Sequence, residues 1–502
     1  GFQCELPVSG LLYALGDNFN YATNNELRYI LEQTPFPVND VKYVKHVVAA
    51  VDVSLALTTD GELYAWGKGV KWSGYGYYSS VTVGLLGDGS TGDRNRPLRI
   101  MKTLPKVKHM CAGKYHVAVI TENNKLYTWG INTASQTLLC KNSSDNYAIP
   151  ATSCPCSLSS CPEILPILGN RTYYWSNLPV EVAVPSDNYN GALLKEIACG
   201  AEHTLVRTST GAVYGWGMNS HQQLGGIEYY TDKVPVPILL QSNSFRGELL
   251  GNTKVISISA GETHSIALTS NGAVFSWGSN TVGQIGIGNT NERTFNARPV
   301  HFSENQRAIR IGTSLRTSFA ITEDRTLSTW GENYVGLLGV NSSVTTSFFS
   351  SATRNPYLKN NTLMSVHVNP FIGAVQVLEE RMSFGWGNNA NKNLGLNTTG
   401  VVYYPQVSFP RELMQRYIVS LSTGPSQALV IYNGTYCFDI LSDDENVCSA
   451  RGTCVSHNNC KCDEGYSGDE CNNTSCFGLN STDANVCNGH GTCVALDTCS
   501  CE

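Results

Sequence analysis

Apolar and polar residues alternate along much of this chain in runs of five or six, the two-residue period of strands with two distinct faces. Ser265-Ile-Ala-Leu-Thr269 and Ala273-Val-Phe-Ser-Trp277 form one such pair, joined through Asn271-Gly272. Asp60-Gly61 stands in the same place in an earlier pair. Both dipeptides suit tight hairpin turns, whose central residues need positive φ. No window carries the 3.6-residue period of an amphipathic helix, so the chain is expected to be almost wholly β.

The hairpins recur, each closed by an aromatic–glycine pair: Trp66-Gly67, Trp129-Gly130, Trp216-Gly217, Trp277-Gly278, Trp330-Gly331 and Trp386-Gly387, with Leu15-Gly16 a degenerate seventh. The copies from Gly200 and Gly261 match almost position for position, with His203 and His264 equivalent. Gly113, His116, Thr121, Tyr127 and Trp129 make a third. One such unit cannot bury its own faces, but units set around an axis cover each other. Gly424-Pro-Ser-Gln427-Ala-Leu-Val-Ile431 starts a copy that lacks its aromatic–glycine half. Gly10-Leu-Leu-Tyr13-Ala-Leu15-Gly16-Asp-Asn18 supplies that half at the other end. Pairing the two in one blade predicts an all-β, seven-bladed propeller closed by its terminal strands.

These residues resemble the regulator of chromosome condensation repeat family, over roughly residues 10 to 431. The resemblance implies a seven-bladed propeller with this closure; WD-repeats would end strands in Trp-Asp, and kelch repeats would carry a Gly-Gly doublet. Two copies depart from the pattern. Ser314 and Thr317 replace Gly and His in one, and Pro370 and Gly373 do so before Trp386. The founding member is a nuclear exchange factor for a small GTPase and binds chromatin. Neither property is carried over here, since fold alone does not give function.

Charge narrows the partners. The 502 residues carry a formal net charge of −6, with only 15% charged residues and no run of Lys and Arg. Nucleic acid and anionic membrane are therefore not expected as partners. No apolar run is long enough to span a bilayer. The chain opens on Gly1-Phe2-Gln3-Cys4 and reads as already processed.

Eleven of the 18 cysteines lie between Cys437 and Cys501, the density of a disulfide scaffold made in an oxidising compartment. Cys437, Cys448, Cys454, Cys460, Cys462 and Cys471, ending on Gly465-Tyr466-Ser-Gly468-Asp-Glu-Cys471, look like an EGF module. Spacing alone leaves many pairings open. The resemblance implies Cys437–Cys454, Cys448–Cys460 and Cys462–Cys471. Cys476, Cys487, Cys493, Cys499 and Cys501 repeat the spacing, and the same resemblance pairs Cys476 with Cys493 and Cys487 with Cys499. This second module stops one cysteine short, so the natural protein is expected to continue. The lead-ins Asn433-Gly-Thr-Tyr436 and Asn472-Asn-Thr-Ser475 lack the acidic residues of calcium-binding EGF modules. Nine Asn-X-Ser/Thr sequons begin at Asn142, Asn170, Asn341, Asn360, Asn397, Asn433, Asn472, Asn473 and Asn480. With the cysteines they point outside the cell, to a secreted or cell-surface glycoprotein.

Specific contacts are sought in the insertions. Trp72, Tyr75, Tyr77 and Tyr78 form a Gly-spaced aromatic cluster that would either stack on a partner or fold down as a local core. Residues 131–190 hold Cys140, Cys154, Cys156 and Cys161, read as two disulfide staples rather than a zinc knuckle. Cys111 and Cys199 read as small buried thiols, and Cys4 as a candidate interchain bridge. His116, His203 and His264 suggest a metal site at first sight. Whole blade rotations separate them, which favours buried imidazoles bonding backbone between blades. No nucleophile elbow, His-Glu-x-x-His pair or phosphate loop is present, so no enzyme, metal or cofactor is expected.

The organisation expected is a lead-in over 1–9, a propeller over 10–432, an EGF-like module over 433–472 and an incomplete one over 473–502. The function expected is that of a non-enzymatic structural component of an extracellular assembly, such as a surface filament, flagellar hair or matrix. In it the propeller contacts proteins and the EGF modules form a stalk. The alternative is an adhesion or recognition receptor that holds a glycan or protein in its propeller loops.

Overall fold

A computed structural model describes residues 10–17, 31–37 and most of 41–501. Outside it lie 1–9, 18–30, 73–80, 132–138, 142–147, 151–174, 183–191, 226–232, 240–252, 342–347, 409–417 and shorter stretches. Each repeat forms a four-stranded antiparallel sheet, and seven such blades follow one another. Their first strands are Val44–Ala49, Val107–Ala112, Leu194–Cys199, Val255–Ala260, Ala308–Ser314, Leu363–Val368 and Ile418–Thr423, taken here as blades one to seven. Each of these strands touches those of the blades before and after it, and the seventh touches the first. The seven therefore ring a common axis.

Closure follows the split repeat. Gly10–Asp17 completes blade seven beside Gln427–Asn433, in register from Gly10 opposite Asn433 to Gly16 opposite Gln427. Leu12, Ala14, Leu429 and Ile431 are buried there together with Val44, Val47 and Trp66 of blade one. Trp66, Trp129, Trp216, Trp277, Trp330 and Trp386 are all fully buried, one in each of blades one to six. Truncating such a side chain to Ala typically costs about 3–5 kcal/mol. The glycine after each Trp turns the strand sharply: at Gly278 φ is 106°, and a Cβ would sit 2.7 Å from the Thr263 carbonyl oxygen.

The outer strand of blade two is Trp175–Val182, which falls inside the stretch read as an insertion. A second difference concerns the inner strands. Cys111 and Cys199, read as separate buried thiols, are joined in a disulfide. Neighbouring inner strands bring their Cα atoms to 5.5 Å, a separation that sequence distance conceals. Comparable places around the axis carry weaker ties. Ser259 Oγ meets Thr313 Oγ1 at 2.8 Å, and the Ala49 amide donates to Ser422 Oγ at 2.9 Å.

The first EGF module pairs Gly452–Ser456 with Asn459–Cys462 and holds disulfides Cys448–Cys460 and Cys462–Cys471. Cys454 is also disulfide-bonded; the side chain of Cys437 lies outside the described set. The next module repeats the hairpin, Gly491–Ala495 with Thr498–Cys501, and holds Cys476–Cys493 and Cys487–Cys499. The two modules share a sheet. Asn473–Cys476 pairs on one side with Tyr466–Ser467 and on the other with Leu479–Asn480.

The Cys111–Cys199 bond joins residues 88 apart, and constraining a loop of that length typically adds about 2–4 kcal/mol. All eight tryptophans precede the EGF modules, so their fluorescence follows the propeller alone. Replacing both cysteines by Ser is expected to lower the thermal midpoint of that signal and to reduce its sensitivity to reductant. Equal midpoints in oxidised wild type and variant would contradict the clamp.

Candidate functional site: the inter-blade relay and the axial opening

His116, His203 and His264 occupy one register position, each opposite the glycine of its Trp-Gly pair. Each is fully buried and reaches into the next blade. Nε2 lies 2.9 Å from Thr204 Oγ1, 3.0 Å from Ser265 Oγ and 2.8 Å from Ser318 Oγ, respectively. The partners are thus hydroxyls, where the sequence suggested backbone. Ser265 and Ser318 donate their own protons to the carbonyls of Gln223 and Gln284. They must therefore accept from an Nε2–H, which fixes the tautomer of His203 and His264. The Gln223 carbonyl also accepts from Trp277 Nε1, so histidine, serine and tryptophan converge on one turn.

Nδ1 of all three rings has no partner. A Cβ at Gly113, Gly200 or Gly261 would lie 2.3, 2.4 or 2.7 Å from that atom, so only glycine leaves room for the ring. Burial holds all three imidazoles down to about 3. The rings are three separate ties between successive blades, not ligands gathered round one ion.

Gln427 takes the equivalent place in blade seven, opposite Gly16, and Nε2 donates to the Ala50 carbonyl of blade one at 3.3 Å. In blade six the register places Ala374, not Gly373, opposite Gly387. The sequence reading of that copy is therefore one residue out. Thr317 holds the place in blade five, as the sequence indicated.

On the inner strands, buried positions alternate with exposed or half-buried ones along the axis. The second position is Lys45, Lys108 and Lys195 in blades one to three, and Ile256, Ile309 and Met364 in blades four to six. The third position includes His46, His109, Glu196 and Arg310. Burial lowers His109 to about 4, and Lys108, His46, Lys45 and Lys195 add to the effect. All four groups therefore lie within electrostatic reach of one ring. Glu196 is already engaged, by Arg207 Nε at 2.9 Å and Ser257 Oγ at 2.7 Å. A run-based reading of charge misses this cluster, because its members come from different repeats. The signal was present as lysine at one register position in three successive copies.

Ser365 Oγ and His367 Nε2 approach to 2.8 Å in blade six. Burial pushes that imidazole down to about 4, and its other hydrogen bond is to the backbone of Leu421. The Leu421 contact ties neighbouring inner strands, the Ser365 contact lies within one strand, and no carboxylate among the described residues is seen to orient the ring.

The remaining sequence candidates are spread out. Trp72 lies in a short strand, Lys71–Trp72, paired with Val81–Thr82. Its side chain and Tyr75, Tyr77 and Tyr78 lie outside the described set, as do Cys4, Cys154, Cys156, Cys161 and the side chain of Cys140. Of the sequons, Asn341 and Asn472 are exposed and Asn473 is half-buried; the side chains of Asn142, Asn170, Asn360, Asn397, Asn433 and Asn480 are not described.

The repeat geometry agrees with comparison to known families. Models of the regulator of chromosome condensation (RCC1) repeat match residues 107–136, 194–223 and 255–284, and, in a second form, 210–268 and 271–321. A model of the EGF-like domain matches residues 437–471. The chain carries RCC1 repeats and an EGF-like domain. Its RCC1-type propeller is similar to the ultraviolet-B receptor UVR8 of Arabidopsis thaliana, 27% identical over 63% of this chain and 59% of the receptor. Human E3 ubiquitin-protein ligase HERC2 is 26% identical over 63% of this chain but only 7% of the ligase. The chain thus spans less than two thirds of either relative. Among solved structures, Prp20p of Saccharomyces cerevisiae superposes with a TM-score of 0.64 at 17% identity, covering 86% of this chain and 94% of that one. Identity that low shows the fold alone.

The relay makes stability pH-dependent. Neutral buried histidines favour the fold fully above the ordinary imidazole value near 6.5, and the advantage falls as the unfolded chain takes up protons below it. Each ring costs up to about 1.4 kcal/mol per pH unit between 6.5 and about 3. His264→Gln, which copies blade seven, is expected to flatten the acid limb of a denaturant-midpoint profile by that slope. An unchanged slope would contradict a neutral buried His264.

Proposed function

We propose that this protein is a non-enzymatic, secreted structural glycoprotein, with the propeller as a protein-contact disc and the EGF modules as its stalk. The observation that carries the reading is the shared sheet between modules. A strand that belongs to the second module, Asn473–Cys476, pairs with the last turn of the first. The Ser475 amide donates to the Gly465 carbonyl at 2.9 Å, and the Asp497 amide donates to the Ser475 carbonyl at 3.1 Å. Main-chain bonds of this kind convert a tandem repeat into a stiff spacer, which suits an extended assembly better than a tether.

Disulfides in both modules and between blades two and three suit an oxidising compartment. No helix among the described residues is long and apolar enough to cross a membrane. Prp20p, the yeast propeller of similar fold, binds Gsp1p and histones. A propeller that binds proteins is the part of that precedent taken up here.

Mass spectrometry of protein from its natural source tests the compartment. N-glycans on Asn341 and Asn472, together with an oxidised Cys111–Cys199 pair, are expected. Unmodified sequons with reduced cysteines would place the chain in a reducing compartment and overturn the reading.

A further inference from the structure

We infer that the axial opening, at the end where the inner strands begin, docks a protein loop that carries acidic and large apolar side chains side by side. The inference rests on the protein-contact reading and names the chemistry of one contact. One wall of the opening is cationic: Lys45, Lys108 and Lys195 stand at the same position on three consecutive inner strands. Among the described residues none of the three is in a salt bridge, although Asp60 and Glu122 lie within electrostatic reach of Lys45. Lys42, Lys106, Lys254 and Arg307, all exposed, add cations at the same end of these strands, where the exposed Asp60, Glu122 and Glu323 offset part of the charge. The chain as a whole is acidic, so this concentration runs against its net charge of −6.

The facing wall is largely apolar, with the exposed Arg310 beside Ile309 as its one cation among the described residues. Ile256 is 46% and Met364 50% exposed, and Ile309 between them is half-buried. These side chains take the lysine position in blades four to six. Large apolar groups left open to water beside a charged rim mark a contact surface.

The two walls together select the ligand class. A uniform polyanion, such as nucleic acid or a sulfated glycan, would meet cations on one side and desolvate against Ile256 and Met364 on the other. A loop with Asp or Glu adjacent to Leu, Ile or Phe satisfies both walls at once, by charge complementarity and by burying apolar area.

A displayed library of random twelve-residue peptides, selected on the full chain, tests this directly. Enriched peptides are expected to place Asp or Glu next to large apolar residues. They should bind the variant K45E/K108E/K195E about tenfold or more weakly, and the variant I256S/M364S several-fold more weakly. Lys461→Glu, in the first EGF module, is the control that leaves binding unchanged. Tryptophan fluorescence melts confirm that each variant folds. Enriched peptides without acidic residues, or binding indifferent to the lysine reversal, overturn the inference. So does a heparin fragment that binds equally well to wild type and I256S/M364S. Cross-linking of the lysine variant in its natural extract separates the two levels. Partner proteins still captured would leave the contact disc standing and remove the axial dock, whereas loss of all protein contacts in wild type would remove both.

Discussion

A ring of blades is stable only if every blade is covered on both faces, including the two that chain ends would otherwise leave open. Here the chain returns to its starting blade. Gly10–Asp17 pairs along its length with Gln427–Asn433, and unfolding that one sheet would expose the packing between blade seven and blade one. Everything else in the propeller depends on this closure. The relay of His116, His203, His264 and Gln427 then passes from blade to blade, each residue reaching the next blade at one register position. Hydrogen bonds between buried neutral groups are worth more to specificity than to raw stability. They fix how one blade sits on the next, while the buried tryptophans supply the larger apolar term.

The same repetition that builds the core also composes the axis. Each repeat contributes one inner strand, so a choice made at one position in several repeats becomes a wall. In the inferred dock, lysine in three copies and Ile or Met in three others set a cationic stretch of the opening against a largely apolar one. Such an asymmetry is invisible to any single blade. Disulfide Cys111–Cys199 belongs to the same logic, because it locks two of the strands that carry the lysines.

Much of this fold is legible in the chain itself. The aromatic–glycine pairs, the split repeat and the turn dipeptides lead to seven blades and to the closure strands, because local turn chemistry and strand period leave little freedom. What stays hidden depends on contact between repeats. Cys111 and Cys199 are 88 residues apart and give no local sign of pairing. The hydroxyl partners Thr204, Ser265 and Ser318 are equally out of reach, since each belongs to a different copy from its histidine. Blade six is misread by one residue because Pro370 and Gly373 imitate the spacing that Ala374 satisfies in the sheet. The aromatic loop around Tyr75 to Tyr78 lies outside the described residues, whereas the axial surface emerges only from superimposing repeats.

On the proposed reading, a closed propeller whose following EGF-like modules share main-chain hydrogen bonds makes repeated contact with other proteins. Electron microscopy of material taken from its natural source without denaturation tests that claim most directly. Ordered filaments or sheets with propeller-sized repeats, in which discs meet neighbours at fixed contacts, are the predicted result. Dispersed single particles with no ordered neighbours would contradict it.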